Sequence, residues 1–170
     1  MKSIIVGAAL AIPLLAWGDT VETEVRNKGI MRECNRLANE GDLKGQNACF
    51  ADGLTFQGRK VTSQQLLAHL EDIFTTFPDY HSEIVDIIAE GDVVVTRNRV
   101  SGTHKGVGKL PVNGGMLIGV QPTGKRFEIQ NIRWYKLRDG KIVEHYATRD
   151  DIGLTRQLGL LPETSQAPAK

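Results

Sequence analysis

Apolar residues recur along this chain at two periods, and the change from one to the other divides it. Over residues 19–39, Val21, Val25, Ile30, Cys34 and Leu37 fall at near-helical spacing, which predicts an amphipathic helix. Asp19 or Thr20 can cap its start, Glu22 and Glu24 suit its first turn, and Gly41 ends it. A second helix is predicted over 63–74. Thr62 and Gln65 form a capping box, and Leu66, Leu67, Leu70, Ile73, Phe74 and Phe77 make an apolar face. Pro78 stops its continuation. Beyond Pro78 the period drops to two. Ser82, Ile84, Asp86 and Ile88 alternate with Glu83, Val85 and Ile87 as in a strand. Glu90-Gly91-Asp92 is a turn and 93–104 a second strand, so the pair predicts a hairpin. A glycine-rich loop over 106–124 leads to a third strand, 125–137. The tight turn Arg138-Asp139-Gly140-Lys141 leads to a fourth, 142–148. A helix-like stretch, 152–158, closes at Gly159. Helices first and antiparallel strands later indicate an α+β fold. Long strands curving around the N-terminal helix would form a cone whose interior is a natural ligand pocket.

The length of 170 residues suits one domain with a real core, which removes the need for a multidomain reading. A formal net charge of +1 with no basic cluster gives no case for nucleic acid. The absence of any Lys or Arg run argues equally against a polybasic membrane patch. The N-terminus differs in kind. Lys2, the apolar run 4–15 and Ala16-Trp17-Gly18 form a secretory signal pattern. The run is too short to span a bilayer comfortably, and Gly7 and Pro13 suit a buried helix poorly. The layout expected is therefore a signal peptide over 1–18 cleaved after Gly18, a domain over 19–161, and a polar tail over 162–170 without fixed structure. The mature protein is expected to be secreted or periplasmic, with no membrane attachment after cleavage.

Two cysteines, Cys34 and Cys49, can pair in an oxidising compartment or stand as two small buried thiols; spacing alone leaves both open. They match no zinc motif. The glycine-rich loop lacks the Gly-Lys-Ser/Thr ending of a phosphate loop, and no serine sits in a nucleophile elbow. Its length makes it a candidate lid.

Six blocks in order carry a resemblance. They are Thr76-Phe77-Pro78-Asp79-Tyr80, Ala89-Glu90-Gly91-Asp92-Val93-Val94, Ser101-Gly102-Thr103-His104, Pro122-Thr123-Gly124-Lys125, the run from Asp139 to Tyr146, and Asp150 with Gly153-Leu154 and Arg156-Gln157-Leu158-Gly159. Together, over about residues 21–161, they resemble the SnoaL-like polyketide cyclase and ester cyclase family. The resemblance implies a nuclear transport factor 2-like cone, N-terminal helices packed in a strongly curved antiparallel sheet, and a homodimer paired through that sheet. It also implies cofactor-free chemistry with no metal. An acidic side chain removes a proton beside a carbonyl, and polar groups hold the enolate.

Candidate residues follow from that chemistry, which needs a base of tuned pKa and a donor for the oxyanion. His145 can be the base or a donor to an enolate; it can also be structural. Asp150 can be the general base or the N-cap of the closing helix, with Asp151 competing for the cap. Many relatives have Asp directly after the His-aromatic pair, where this chain has Ala147. His104 can line the mouth of the cone or end its strand in solvent. His81 reads as surface and His69 as structural. Arg133, Trp134 and Tyr135 are candidate ligand contacts, with Arg133 and Tyr135 on one face and Trp134 on the other. If the hairpin pairs symmetrically about Asp139-Gly140, Trp134 falls opposite His145. Three readings result. The first is a cofactor-free enzyme acting on a small, largely apolar carbonyl- or ester-bearing molecule through His145 and Asp150. The second is a non-catalytic exported binding protein using the same cavity. The third is an epoxide hydrolase or dehydratase, for which Arg133 with Asp150 is a partial match.

Overall fold

A computed structural model describes residues 14–111 and 115–161. The elements run α1 (Leu14–Asn39), α2 (Leu43–Ala48), β1 (Phe50–Phe56), β2 (Arg59–Val61), α3 (Ser63–Thr76), β3 (His81–Glu90), β4 (Val93–Thr103), β5 (Arg126–Arg138), β6 (Lys141–Arg149) and α4 (Asp151–Gln157). Six strands form one curved, unclosed sheet in the order β2-β1-β6-β5-β4-β3. Every neighbouring pair is antiparallel except β1 with β6. The α+β cone expected from the sequence is therefore the fold. Most of the expected signal segment (1–13) and the tail (162–170) lie outside the described residues.

Helix α3 forms where its signals stand. Thr62 accepts from Gln65 N while the Gln65 side chain accepts from Thr62 N, a complete capping box. The helix runs to Thr76, two residues past the predicted end. Helix α1 lies along the edge strand β3 and is pinned by side chains at both ends of that strand. Asn27 donates to Gly91 O at 3.1 Å, and Gly91 N donates to Glu24 at 3.1 Å. Asn35 and Asn39 both donate to Ser82 O, and Ser82 N donates back to Asn39. These bonds satisfy backbone groups that an edge strand otherwise leaves open. The two cysteines are joined: the Cys34–Cys49 disulfide ties α1 to the chain entering β1.

Strands β1 and β2 are absent from the predicted set. Phe50–Phe56 reads FADGLTF, in which Gly53 adopts φ +69° and breaks the alternation that marks a strand. Its pairing with β6 shifts register between Phe50 and Thr55 for the same reason. A second departure lies in β3. Strict alternation puts Ile84, Asp86 and Ile88 on one face, but the β3–β4 register shifts between Ile84 and Asp86. That bulge turns Ile87 and Ala89 inward against the core and leaves Ile88 66% exposed.

The loop between β4 and β5 is anchored to α3. Lys109 N and Leu110 N donate to the Asp72 carboxylate at 2.9 and 3.3 Å, and Lys105 N and Gly106 N donate to Thr76 O. A Cβ at Gly106 would lie 1.9 Å from Thr75 O, so only glycine lets the loop lie this close to the helix. Leu117 of the loop joins Phe77, Val100, Phe127, Ile129, Leu154 and Leu158 in one core cluster. A second cluster centres on Met31, Cys34, Val94, Tyr135, Leu137 and Ile142, between α1 and the concave face.

Candidate functional site

The β5–β6 hairpin sets the site. Asp139 (φ +50°) and Gly140 (φ +73°) make the primed turn that suits the twist of an antiparallel pair. Arg138 pairs with Lys141 and Leu137 with Ile142, but then the register shifts, and Lys136 pairs with Glu144. Val143 is the extra residue. The bulge puts His145 opposite Tyr135 and Trp134 opposite Tyr146. The expectation that Trp134 faces His145 is thereby corrected: it assumed symmetric pairing. Trp134 packs edge-on against Tyr146, ring centroids 5.7 Å apart, on the face away from the cone interior.

On the concave face Tyr135 stacks on His145, centroids 4.6 Å apart and planes within 16°. Phe56 meets the imidazole edge-on at 5.0 Å and Phe50 lies at 6.2 Å. Both ring nitrogens of His145 are shut off from solvent and have no hydrogen-bond partner among the described residues, although the residue as a whole is half-buried. Burial, helped by the nearby Arg133 cation, pushes its pKa down to about 3. The imidazole is neutral at pH 7, which suits it to donate one hydrogen bond and makes it a weak base.

Arg133 is the second member. Its guanidinium donates to Tyr80 Oη at 2.9 Å. With the Asn131 amide oriented so that both partners are satisfied, it also donates to Asn131 Oδ1, from Nε at 3.0 Å and from NH2 at 3.1 Å. Burial disfavours its charge, but the Tyr80 and Tyr135 oxygens that accept from it outweigh this and hold its pKa above the usual arginine range. Burial in turn raises the Tyr135 phenol, and Arg133 opposes that rise. Among the described residues no carboxylate pairs with Arg133, whereas Arg149 has Asp151, Arg97 has Asp86 and Arg99 has Glu83. The residues directly across from Arg133 are Thr96 on β4 and Ala147 on β6, both uncharged.

Arg133, Tyr80 and Tyr135 border a small interior cavity of about 40 Å³, whereas His145 and Ala147 share their face of the sheet but do not line it. Arg133, Tyr80, Tyr135, Ser82, Thr96 and Asn98 supply its polar wall, and Met31, Phe50 and Ile142 are among its apolar residues. Thr96 donates to Asn98 at 2.6 Å and Asn98 to Ser82 at 3.2 Å, a buried polar chain beside the guanidinium. A larger open groove of about 430 Å³ between α1 and β3 is lined by Arg32, Arg36 and Glu40, but Arg36 is bonded to Glu33 and Glu40. The interior cavity is the better candidate because its donors converge and are desolvated.

The other sequence candidates lie apart from it. Asp150 is exposed at the start of α4, where it accepts from Gly153 N at 2.7 Å; it is the N-cap, while Asp151 pairs with Arg149 at 2.5 Å. No hydrogen bond or ion pair joins Asp150 to Arg133 among the described residues, so the partial Asp-Arg match is not assembled. His104 is neither at a mouth nor in solvent. It is fully buried beside Phe77, with Nδ1 3.3 Å from Thr123 N and Oγ1, and burial lowers its pKa. His81 is exposed and His69 half-buried in α3. Tyr80, Ser82, Thr96 and Asn98 were not singled out from sequence as site residues. Thr96 and Asn98 carried a signal: they are polar residues at the inward positions of an otherwise apolar strand, between Val94 and Val100.

Comparison with known proteins agrees with the geometry. The family model for the SnoaL-like polyketide cyclases matches residues 28–158. Among solved structures, AclR from Streptomyces galilaeus, a candidate hydroxylase, is 28% identical with a TM-score of 0.69, covering 84% of this chain and 91% of its own. TsrD from Streptomyces laurentii is 25% identical with a TM-score of 0.68, covering 81% and 97%. IdmH from Streptomyces antibioticus, a candidate polyketide cyclase, is 26% identical with a TM-score of 0.64, covering 78% and 98%. No curated protein matches the sequence. The match over residues 28–158, together with the curved six-stranded sheet, establishes that this chain belongs to the SnoaL-like polyketide cyclase family.

Proposed function

We propose that this is an exported binding protein on a polyketide cyclase scaffold, which holds a small, largely apolar molecule by a carbonyl oxygen inside the cone. The observation that carries the reading is the half-buried Arg133, whose guanidinium is bonded to Tyr80 and lines the interior cavity. Arg133 and the phenols of Tyr80 and Tyr135 supply donors at one point, and Phe50, Met31 and Ile142 supply the apolar surround. Preorganised donors in a water-poor site hold an oxygen more firmly than the same groups in water. The cavity of about 40 Å³ fits only the polar end of such a molecule; the roughly 300–1,000 Å³ of a typical ligand site requires α1 or α2 to move outward. Export rests on the N-terminal signal pattern, and a homodimer paired through the convex sheet face is part of the same proposal.

Catalysis by proton abstraction is the second reading, favoured by the way Arg133 and Tyr80 would stabilise an enolate oxygen. It lacks a suitable base. His145 is neutral with its pKa near 3, Asp150 caps α4 in solvent, and none of the residues lining the cavity is a carboxylate. Acetophenone and methyl benzoate in deuterated buffer separate the two readings. Binding predicts that both ligands perturb the NMR signals of Tyr80 and Tyr135, that Arg133→Gln and Tyr80→Phe weaken them, and that both are recovered unchanged. Deuterium entering the acetophenone methyl group faster than in buffer would establish proton abstraction instead. Binding indifferent to both substitutions would place the ligand elsewhere.

A further inference from the structure

We infer that the group held by Arg133 in the interior cavity is an anion, a carboxylate, rather than a neutral carbonyl. The inference rests on the interior cavity being the ligand site. Its ground is charge balance. Arg133 carries a permanent positive charge, and its partners among the described residues are the phenols of Tyr80 and Tyr135 and the Asn131 amide, all neutral. The remaining polar residues of the cavity wall, Ser82, Thr96, Asn98, Asn35 and Gln46, are neutral as well. A desolvated cation without a counter-charge is a costly arrangement, and other arginines of the sheet avoid it by pairing with Asp86, Glu83 or Asp151.

The strand register gives Arg133 no counter-charge from either side, since Thr96 stands across from it on β4 and Ala147 on β6. Ala147 is the cross-strand neighbour of Arg133 on the same face, and its methyl group fills little of the space that a longer acidic side chain would take. The cavity of about 40 Å³ is a few times the roughly 10–15 Å³ that one water needs, which matches a carboxylate of three heavy atoms. With Nε and one Nη of Arg133 already donating to Asn131 and Tyr80, the other Nη can donate a charge-assisted hydrogen bond to a carboxylate, which is stronger than the same bond to a neutral ketone or amide. Gln46 Oε1 is buried without a partner among the described residues, so the wall also offers an acceptor for a hydroxyl on the same ligand.

The test uses acetate and acetamide, which share shape and differ in charge, titrated into the full chain and followed through the Arg133 Nε–H NMR signal. Acetate should shift that signal saturably, with acetamide at least about tenfold weaker, a difference of about 1.4 kcal/mol. Ala147→Asp, which supplies an internal carboxylate, should abolish the acetate response and raise the melting temperature. Arg133→Gln should remove the preference for acetate over acetamide; if that variant does not fold, the Ala147→Asp result decides alone. Equal binding of acetate and acetamide would overturn the anion assignment and leave the carbonyl-binding reading standing. A signal unmoved by either compound, together with ketone and ester binding unaffected by Arg133→Gln, would overturn both. Acetate binding that persists undiminished in a folded Ala147→Asp variant would place the anion elsewhere and also overturn the assignment.

Discussion

Replacing His145 should remove a definite part of the protein's sensitivity to acid. In the folded chain the imidazole is enclosed by Tyr135, Phe56 and Phe50, and its pKa falls to about 3. In the unfolded chain it returns to about 6.5. The folded state therefore binds fewer protons than the unfolded state between those values, and stability rises with pH across that window. The contribution is fully present above pH 6.5, declines as pH falls towards 3, and has no further slope below it. With these two values, linkage gives a loss of about 2 kcal/mol between pH 7.5 and pH 5. Phenylalanine has nearly the shape of histidine and suits the same aromatic cage, so His145→Phe should abolish this term. Urea denaturation of both proteins at pH 7.5, 6 and 5 measures it. The stability difference between wild type and His145→Phe should change by about 2 kcal/mol over the range, roughly a 1 M shift in urea midpoint at an m-value near 2 kcal/mol/M. Contributions from His104, whose pKa burial also lowers, and from the carboxylates are common to both proteins and cancel in the difference. A difference constant to within about 0.5 kcal/mol would mean that His145 titrates normally. The neutral-donor role assigned to it would fall with it.

Further outcomes follow from other parts of the fold. Replacing both Cys34 and Cys49 with serine opens a loop closed over a sequence separation of 15 and should cost about 3 kcal/mol by the chain-entropy estimate, read as a lowered melting temperature that reducing agent reproduces in the wild type. Asp150→Ala should destabilise the chain by about 1 kcal/mol through loss of the α4 cap and leave ligand affinity unchanged; a loss of affinity with stability intact would return Asp150 to the site. On the convex face Ile88, Val95, Trp134 and Tyr146 lie in register across four strands, with Ile88 and Tyr146 exposed. Ile88→Lys should convert the proposed dimer to monomer in light scattering, while a wild type monomeric at micromolar concentration would remove the dimer altogether.

Local signals and pairings were unequally legible in the sequence. Capping and breaking residues placed α3, and the Asp139-Gly140 turn placed the last hairpin, because each acts over three or four positions. Strand β1 was hidden because its pairing with β6 is non-local and its own pattern is broken at Gly53. The disulfide stayed open for the same reason: the distance from Cys34 to Cys49 depends on how α1 meets the chain before β1. Of the candidate cavity wall, Arg133 and Tyr135 are legible from strand alternation, whereas His145 lies on their face without lining the cavity, and Asp150, His104 and Trp134 are suggested by position along the chain rather than by the face they occupy.

The one-residue bulge at Val143 explains why sequence position misled. Without it, alternation from the inward Ile142 would turn Glu144 and Tyr146 into the cone and would set Ala147 opposite Ile132, which is exposed. The cavity would then hold a carboxylate near Arg133. With the bulge, every residue after Val143 changes face, so His145 and Ala147 point inward and Glu144 and Tyr146 do not. Alanine after the His-aromatic pair reads in the sequence as a missing base. In the folded sheet it is also a missing counter-ion, because its cross-strand partner is Arg133. Under the proposed function, alanine at this one position offers neither a carboxylate for proton abstraction nor a counter-charge for Arg133. The proposed binding role and the proposed charge selectivity thus meet at a single position, and only the strand register connects them.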